Sequence, residues 1–89
     1  MKTLEYSVKA MDVIEAMVEI GNPNSVTDAG VGALCARSAA IGAYYNVRIN
    51  TGDLKDEEFK KKVLEKGEKL KEEAIQRELK IMKMVEEKI

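Results

Sequence analysis

Apolar residues recur every three or four positions in the first 20 residues of the chain, at Leu4, Val8, Met11, Ile14 and Val18. This spacing predicts an amphipathic α-helix over about residues 3–20 with one apolar stripe. Gly21 supplies the permissive backbone of a C-terminal cap, and the ring of Pro23 prevents the helix from resuming at once. We therefore expect the first helix to end at residue 20.

The next segment has a different pattern, because most of its residues are small and few are charged. We predict a second helix over about residues 25–50, with the short polar side chain of Asn24 or Ser25 as its N-cap. Its three interior glycines (Gly30, Gly32 and Gly42) each cost roughly 1 kcal/mol relative to alanine. The expected compensation is close approach of another helix, or of a ligand, to the bare backbone.

A long amphipathic pattern predicts a third helix over about residues 56–88, with Asp56 as its cap. One apolar stripe comprises Phe59, Val63, Leu70, Ala74, Ile81 and Val85. From residue 53 onward the chain has 11 acids and 11 bases, interleaved as on a solvated helix surface. The fold class is therefore all-α, and we expect oligomerisation to complete a helical bundle that three helices cover only in part.

Composition excludes several classes of function. The 89 residues have a net charge of -1, which gives no indication of a nucleic-acid or membrane partner. With one cysteine and no histidine, the chain lacks the residues of a thiolate or zinc site, and we expect no metal and no cofactor. No leader or membrane span is apparent, so we expect a soluble cytoplasmic protein. The enrichment in lysine and glutamate indicates weakly a thermophilic source.

The central sequence "GNPNSVTDAGVGALCARSAAIGAYYNVRIN" contains two motifs, which extend from Asn22 to Leu34 and from Gly42 to Asn50. Together they closely resemble the NPNSV-SDAGVGAL and GAY-NV-IN runs of the formiminotetrahydrofolate cyclodeaminase and methenyltetrahydrofolate cyclohydrolase family. The "GDLKDEEF" turn and the long charged helix also look like the end of that family's domain. The resemblance covers nearly the whole chain, with Thr27 where serine is common.

The resemblance implies an all-helical domain of roughly twice this length, of which the chain looks like the C-terminal half. The glycine-rich PGGGS-like stretch of the family's N-terminal half is absent here. The implied chemistry is cyclodeamination of 5-formiminotetrahydrofolate to 5,10-methenyltetrahydrofolate, or methenyltetrahydrofolate cyclohydrolase activity. The substrate is a tetrahydrofolate derivative, and a second copy or another chain is expected to supply what one chain lacks.

Asp28 matches the aspartate of the family's SDAGVG run and is the only acid between Glu19 and Asp53. The resemblance implies a catalytic role, either as an acid and base or as a stabiliser of positive charge. A structural alternative exists, because an acid in or near the first turn of a helix interacts favourably with the helix dipole.

Further candidates for substrate binding are Asn22, Asn24, Ser25, Arg37, Tyr44, Asn46 and Asn50. Each has a structural alternative: caps and turns for the first three, an internal ion pair for the arginine, core packing for the tyrosine, and hydrogen bonds between helices for the last two asparagines. Asn46 and Asn50 are expected to share a helix face with Gly42. Cys35 is interpreted as a small buried residue.

Two functions of different classes remain open. The chain is an enzyme, or the folate-binding half of one, or it is a non-catalytic helical module whose small residues pack helices together. Apolar stripes on the first and third helices and the bare surface of the second all need covering. We therefore predict a homo-oligomer, at least a dimer.

Overall fold

The computed structural model describes residues 1–21 and 23–89, without the side chains of Pro23 and Asn24. Within those ranges it contains three α-helices and no strand: α1 at Lys2–Ile20, α2 at Pro23–Thr51 and α3 at Glu57–Lys88. The predicted all-α class is confirmed. Each predicted boundary lies within two residues of the observed one.

The helices form an elongated up-down-up bundle of 51 × 15 × 14 Å. α1 and α3 run in the same direction, as shown by ion pairs that advance together along both helices. Lys66 lies 3.0 Å from Glu5, and further along the bundle Lys80 lies 2.7 Å from Glu15. α2 runs antiparallel to both and contacts each of them along its length.

The core is narrow because α2 contributes mainly alanine to it. Fully buried side chains are Leu4, Met11 and Val18 from α1, Val26, Ala33 and Ala40 from α2, and Ala74 and Ile81 from α3. Small residues on α2 allow α1 and α3 to approach its axis closely. This packing buries two sides of α2 and leaves its third side in solvent.

The predicted N-cap of α2 is wrong, because the helix begins at Pro23 rather than after Asn24 or Ser25. Proline suits the first helical position, since its missing N–H would have no partner there. Asn22, which precedes the helix, lies outside the described residues. Asp28 is consequently beyond the first turn, where the dipole effect is weak. Stabilisation by the helix dipole therefore explains Asp28 poorly.

Gly21 ends α1 as predicted, but the reason is steric. Its backbone is extended, with φ -81° and ψ 156°, a conformation open to any residue. A Cβ placed on Gly21 would lie 2.5 Å from the carbonyl oxygen of Met17. Glycine is therefore required at this position by the close contact with the preceding turn.

Asp56 caps α3 as predicted: its Oδ1 accepts a hydrogen bond of 3.0 Å from the Phe59 amide. The predicted apolar stripe is only partly correct. Ala74, Ile81 and Val85 are buried, whereas the Phe59 side chain is exposed. Phe59 lies in the first turn, before α3 comes under the cover of the other helices.

Two further findings complete the fold. Cys35 is exposed, so the prediction that it is buried is wrong. Glu78 is buried in α3, and its Oε2 has no hydrogen-bond partner among the described residues. None of the described helices combines the length and apolarity needed to span a membrane.

Candidate functional site

A groove of about 380 Å³ lies between the start of α1 and the last turns of α2. Its lining consists of Met1, Thr3, Ala39, Gly42, Ala43, Asn46, Val47 and Asn50. The predicted shared face of Gly42, Asn46 and Asn50 is confirmed. Met1 and Thr3 form the opposite wall and were not singled out by sequence reasoning.

The three interior glycines of α2 have different environments. A Cβ on Gly30 would lie 3.4 Å from a methyl group of Val85, and one on Gly32 would lie 3.5 Å from Ile14. These two glycines face neighbouring helices, as close packing predicts. A Cβ on Gly42 would meet nothing within 4 Å. Packing within this chain therefore does not explain Gly42, which instead leaves the backbone bare at the groove.

Asn46 and Asn50 give the groove its polar character. They lie four residues apart, so their side chains are about 6 Å apart along the helix axis. Each amide offers two donors and one acceptor, and both side chains are exposed. Two such groups beside a bare backbone suit the hydrogen-bonding edge of a flat heterocycle. The side chains of the lining include no acid and no base.

Asp28 lies outside this groove. It is exposed on α2, 18 residues before Asn46. Eighteen residues correspond to five helical turns, so the two side chains leave the helix in the same direction about 27 Å apart. One chain therefore presents the carboxylate and the two asparagines on one face but does not bring them together.

Ser25 lies near the Asp28 end of α2. It lines a shallow depression with Met17, Ile20 and Gly21. The side chains of Asn22 and Asn24 lie outside the described residues, so their predicted roles receive no structural test. Ser25 is also remote from Asn46, since 21 residues of helix, about 31 Å, separate them.

Tyr44 lies on the other side of α2, against α3. Its hydroxyl donates a hydrogen bond of 2.5 Å to Oε2 of Glu68, and the ammonium of Lys71 is 4.8 Å from the ring centroid. A Cβ on Gly67 would lie 3.1 Å from the ring. The structure therefore favours the packing alternative for Tyr44 over contact with a ligand in the groove.

This contact perturbs two ionisable groups. The hydrogen bond to the Glu68 carboxylate, with burial as a second cause, raises the pKa of Tyr44. The same hydrogen bond, together with the contact to Lys71, lowers the pKa of Glu68. Sequence reasoning missed this cluster, although a glycine inside a charged helix was a signal that something packs closely there.

The two arginines of α2 also lie away from the groove. Arg37 is half-buried, and its Nε has no hydrogen-bond partner among the described residues. Arg48 is exposed, with its guanidinium carbon 5.9 Å from the centroid of the Tyr44 ring. Neither lines the groove, so the predicted role of Arg37 towards a folate carboxylate gains no direct support.

A second, shallower depression continues the groove along the same side of the bundle. It shares Thr3 and Ala39 with the groove and extends to Tyr6, Ala10 and Cys35. No charged side chain lines either cavity. The described residues also contain no cluster of acids, cysteines or histidines that could hold a metal ion.

Comparison with known proteins shows the family to which the chain belongs. A family model described as Formiminotransferase-cyclodeaminase matches residues 1–69, which include α1, α2 and the first turns of α3. The chain belongs to this family. All the candidate site residues, from Asn22 to Asn50, fall within the matched region.

Curated relatives agree with this assignment. The chain is 33% identical to formimidoyltransferase-cyclodeaminase of Gallus gallus over 75 residues, which are 84% of this chain. It is 30% identical to the protein of the same name from Rattus norvegicus over 74 residues, or 83% of this chain. In each case the match spans 14% of the relative's length. No solved structure matches the chain.

Proposed function

We propose that the chain contributes a tetrahydrofolate site for one-carbon chemistry. The reaction is cyclodeamination of 5-formiminotetrahydrofolate to 5,10-methenyltetrahydrofolate and ammonia, or the methenyltetrahydrofolate cyclohydrolase reaction. The observation that carries the proposal is the groove itself. Two asparagines and a glycine that packing does not explain line it, and all three belong to a motif of the family.

The groove residues bind and orient the substrate. The amides of Asn46 and Asn50 provide donors and acceptors for the polar edge of the pterin, and Gly42 lets the ring approach the backbone. Thr3 adds a hydroxyl from the opposite wall. Such a site fixes the substrate without reacting with it, so proton transfer must come from another group.

Asp28 is the group proposed for proton transfer, and because it lies about 27 Å from the groove of its own chain, it acts in the groove of a second copy. In cyclodeamination the folate N10 attacks the formimino carbon, a new C–N bond forms, and the proton of N10 passes to the imino nitrogen. The resulting amino group takes one further proton and leaves as ammonia, which gives the methenyl cation. A carboxyl group beside that carbon supplies the proton, and the resulting carboxylate stabilises the cationic product. Asp28 is exposed and lies beyond the first turn, so helix capping does not account for it.

The test is formation of 5,10-methenyltetrahydrofolate from 5-formiminotetrahydrofolate and from 10-formyltetrahydrofolate. Asp28→Asn is expected to reduce turnover by about 10²-fold or more, the usual contribution of general acid–base catalysis. Asp53→Asn, at another exposed acid, is the matched control and should retain full turnover. Equal rates for Asp28→Asn and the control would contradict the role of Asp28. Failure of the unaltered chain to convert either substrate would contradict a complete site in this chain.

A second candidate function is a non-catalytic helical module that oligomerises. It is favoured by large apolar side chains in solvent on α1 and α2, of which Ile20 is 87% exposed and Ile49 is 72% exposed. Titration with 5-formyltetrahydrofolate, followed by calorimetry, distinguishes the two functions. Binding that is lost in an Asn46→Ala variant supports the folate site, whereas self-association without folate binding supports the module.

A further inference from the structure

Two side chains of opposite charge are removed from water on α2 and α3. Glu78 of α3 has only 4% of its surface exposed, and its Oε2 has no hydrogen-bond partner among the described residues. Arg37 of α2 is half-buried, and its buried Nε likewise has no hydrogen-bond partner within the described ranges. Removing a charged group from water is unfavourable unless another charge compensates it. Each of these groups therefore requires a counter-charge.

Contacts on either side of Arg37 show which part of α3 it faces. Nearer the start of α2, a Cβ on Gly30 would lie 3.4 Å from a methyl group of Val85. Nearer its end, the ring centroid of Tyr44 lies 4.8 Å from the ammonium of Lys71. These two contacts define how α2 and α3 are aligned along their length.

This alignment places Arg37 opposite Glu78. Arg37 is seven residues from each of the two contact residues of α2, and Glu78 is seven residues from each of the two contact residues of α3. Seven residues are close to two helical turns, so all three residues of each helix lie on one side of it. Because the helices run antiparallel, the two midpoints lie at the same height. Each charged group therefore faces the counter-charge that it requires.

We propose that Arg37 and Glu78 form a buried charged pair that fixes the position of α3 along α2. Their side chains extend from facing sides of adjacent helices, so rotation about side-chain bonds is enough to join them. A buried polar group can specify register in a helical assembly, because a shifted arrangement leaves it without its partner. Arg37 is then engaged by its own chain and not by a folate carboxylate.

The two nearest alternative registers are both unfavourable. Sliding α3 by seven residues keeps the same side of it against α2. In one direction this shift places Lys71 opposite Arg37, which brings two positive charges together. In the other direction it places Val85 opposite Arg37, which leaves the guanidinium without a counter-charge. Of the three registers, the observed one alone joins opposite charges.

The residues that flank Arg37 on α2 select a register only weakly. Ala33 and Ala40 lie one turn before and one turn after it, and both are fully buried. Small, similar side chains fit against many different neighbours, so packing of this kind specifies a position poorly. The charged pair supplies the specificity that these alanines lack.

The first experiment is a double-mutant cycle of Arg37→Met and Glu78→Leu, followed by urea denaturation. Each single substitution should lower the urea midpoint, because it leaves the opposite charge without its partner. The double variant should recover most of that loss, since it removes both charges. The matched control combines Arg37→Met with Glu73→Leu, at an exposed acid of the same helix, and there the two effects should add. Additive effects in both cycles would overturn the proposal.

The second experiment tests the register itself. NMR titration of the Tyr44 ring reports its contact with Glu68, whose carboxylate raises the pKa of Tyr44. In the folded double variant no charge fixes α3, so this pKa should fall towards its ordinary value, whereas Glu73→Leu should leave it raised. A pKa of Tyr44 that stays fully raised in the double variant would overturn the proposal. Neither experiment involves folate, so both outcomes are independent of the proposed function.

Discussion

The exposed side of α1 and α2 and the outer surface of α3 present different kinds of residue to solvent. Between residues 20 and 52 the chain has three charged residues, whereas α3 alternates acids and bases along its 32 residues. One side of α3 packs on the other helices, and most of its remaining surface is charged and solvated, with Phe59 and Leu79 as exposed apolar residues. α1 and α2 expose apolar side chains that water does not favour. The difference agrees with the proposed function, which assigns substrate binding to the side formed by α1 and α2.

The largest expected effect comes from truncating a buried side chain of α3. Ile81 is fully buried, so Ile81→Ala should lower the free energy of unfolding by about 2–5 kcal/mol, through lost apolar burial and a cavity. Leu79→Ala is the control on the same helix, where the side chain is 55% exposed. It should change stability by less than about 0.5 kcal/mol. Urea denaturation followed by circular dichroism measures both, and equal effects would contradict the observed burial.

A smaller effect is expected from substitutions of two glycines on α2, which should change stability alike but binding differently. Gly42→Ala and Gly32→Ala should each raise the free energy of unfolding of the chain by up to about 1 kcal/mol, because alanine favours the helix. Only Gly42→Ala should weaken folate binding and dimerisation, since Gly42 alone faces the open groove. Thermal denaturation and sedimentation measure the two properties. Equal loss of association in both variants would argue against a special role for Gly42.

The smallest effect concerns Tyr44 at the junction of α2 and α3. Its hydrogen bond to Glu68 raises its pKa above the ordinary value of 10.0. The folded state therefore gains stability from neutral Tyr44 below about pH 10, and that gain is lost as the pH rises through the higher folded pKa. Ultraviolet titration should show that Tyr44 ionises above its ordinary pKa.

Glu68→Gln should lower the pKa of Tyr44 towards its ordinary value, because the carboxylate is the largest cause of the shift. Glu72→Gln removes a neighbouring acid that contacts Lys71 but is not bonded to Tyr44, and it should leave the titration of the tyrosine unchanged. If Tyr44 of the unaltered chain ionised at the same pH as in the Glu68→Gln variant, the hydrogen bond would be absent in solution.

The fold was predictable where apolar periodicity was clear. α1 and α3 each have a distinct apolar stripe, and their bounds were found to within one residue. The side chains of α2 are small and uncharged on nearly every side, so its sequence does not indicate which side is buried. The exposure of Cys35 therefore could not be predicted. Its start was misplaced because Pro23 can open a helix as well as interrupt one.

The candidate site was predictable in part for a similar reason. Helical spacing alone places Gly42, Asn46 and Asn50 on one face, and the groove contains all three. Spacing also separates Asp28 from them, and the uninterrupted helix from Pro23 to Thr51 confirms that separation. The wall formed by Met1 and Thr3 depends on how α1 packs, which local sequence does not encode.

The most direct test of a shared site is complementation between two inactive variants. Asp28→Asn and Asn46→Ala are expressed together, so that half of the dimers contain one chain of each kind. Every mixed dimer then has one site with both altered residues and one intact site. Conversion of 5-formiminotetrahydrofolate should therefore recover to about a quarter of that of the unaltered chain, while each variant alone stays inactive. If the mixture is no more active than either variant while the unaltered chain turns over, Asp28 and Asn46 do not meet across a dimer and the account is contradicted.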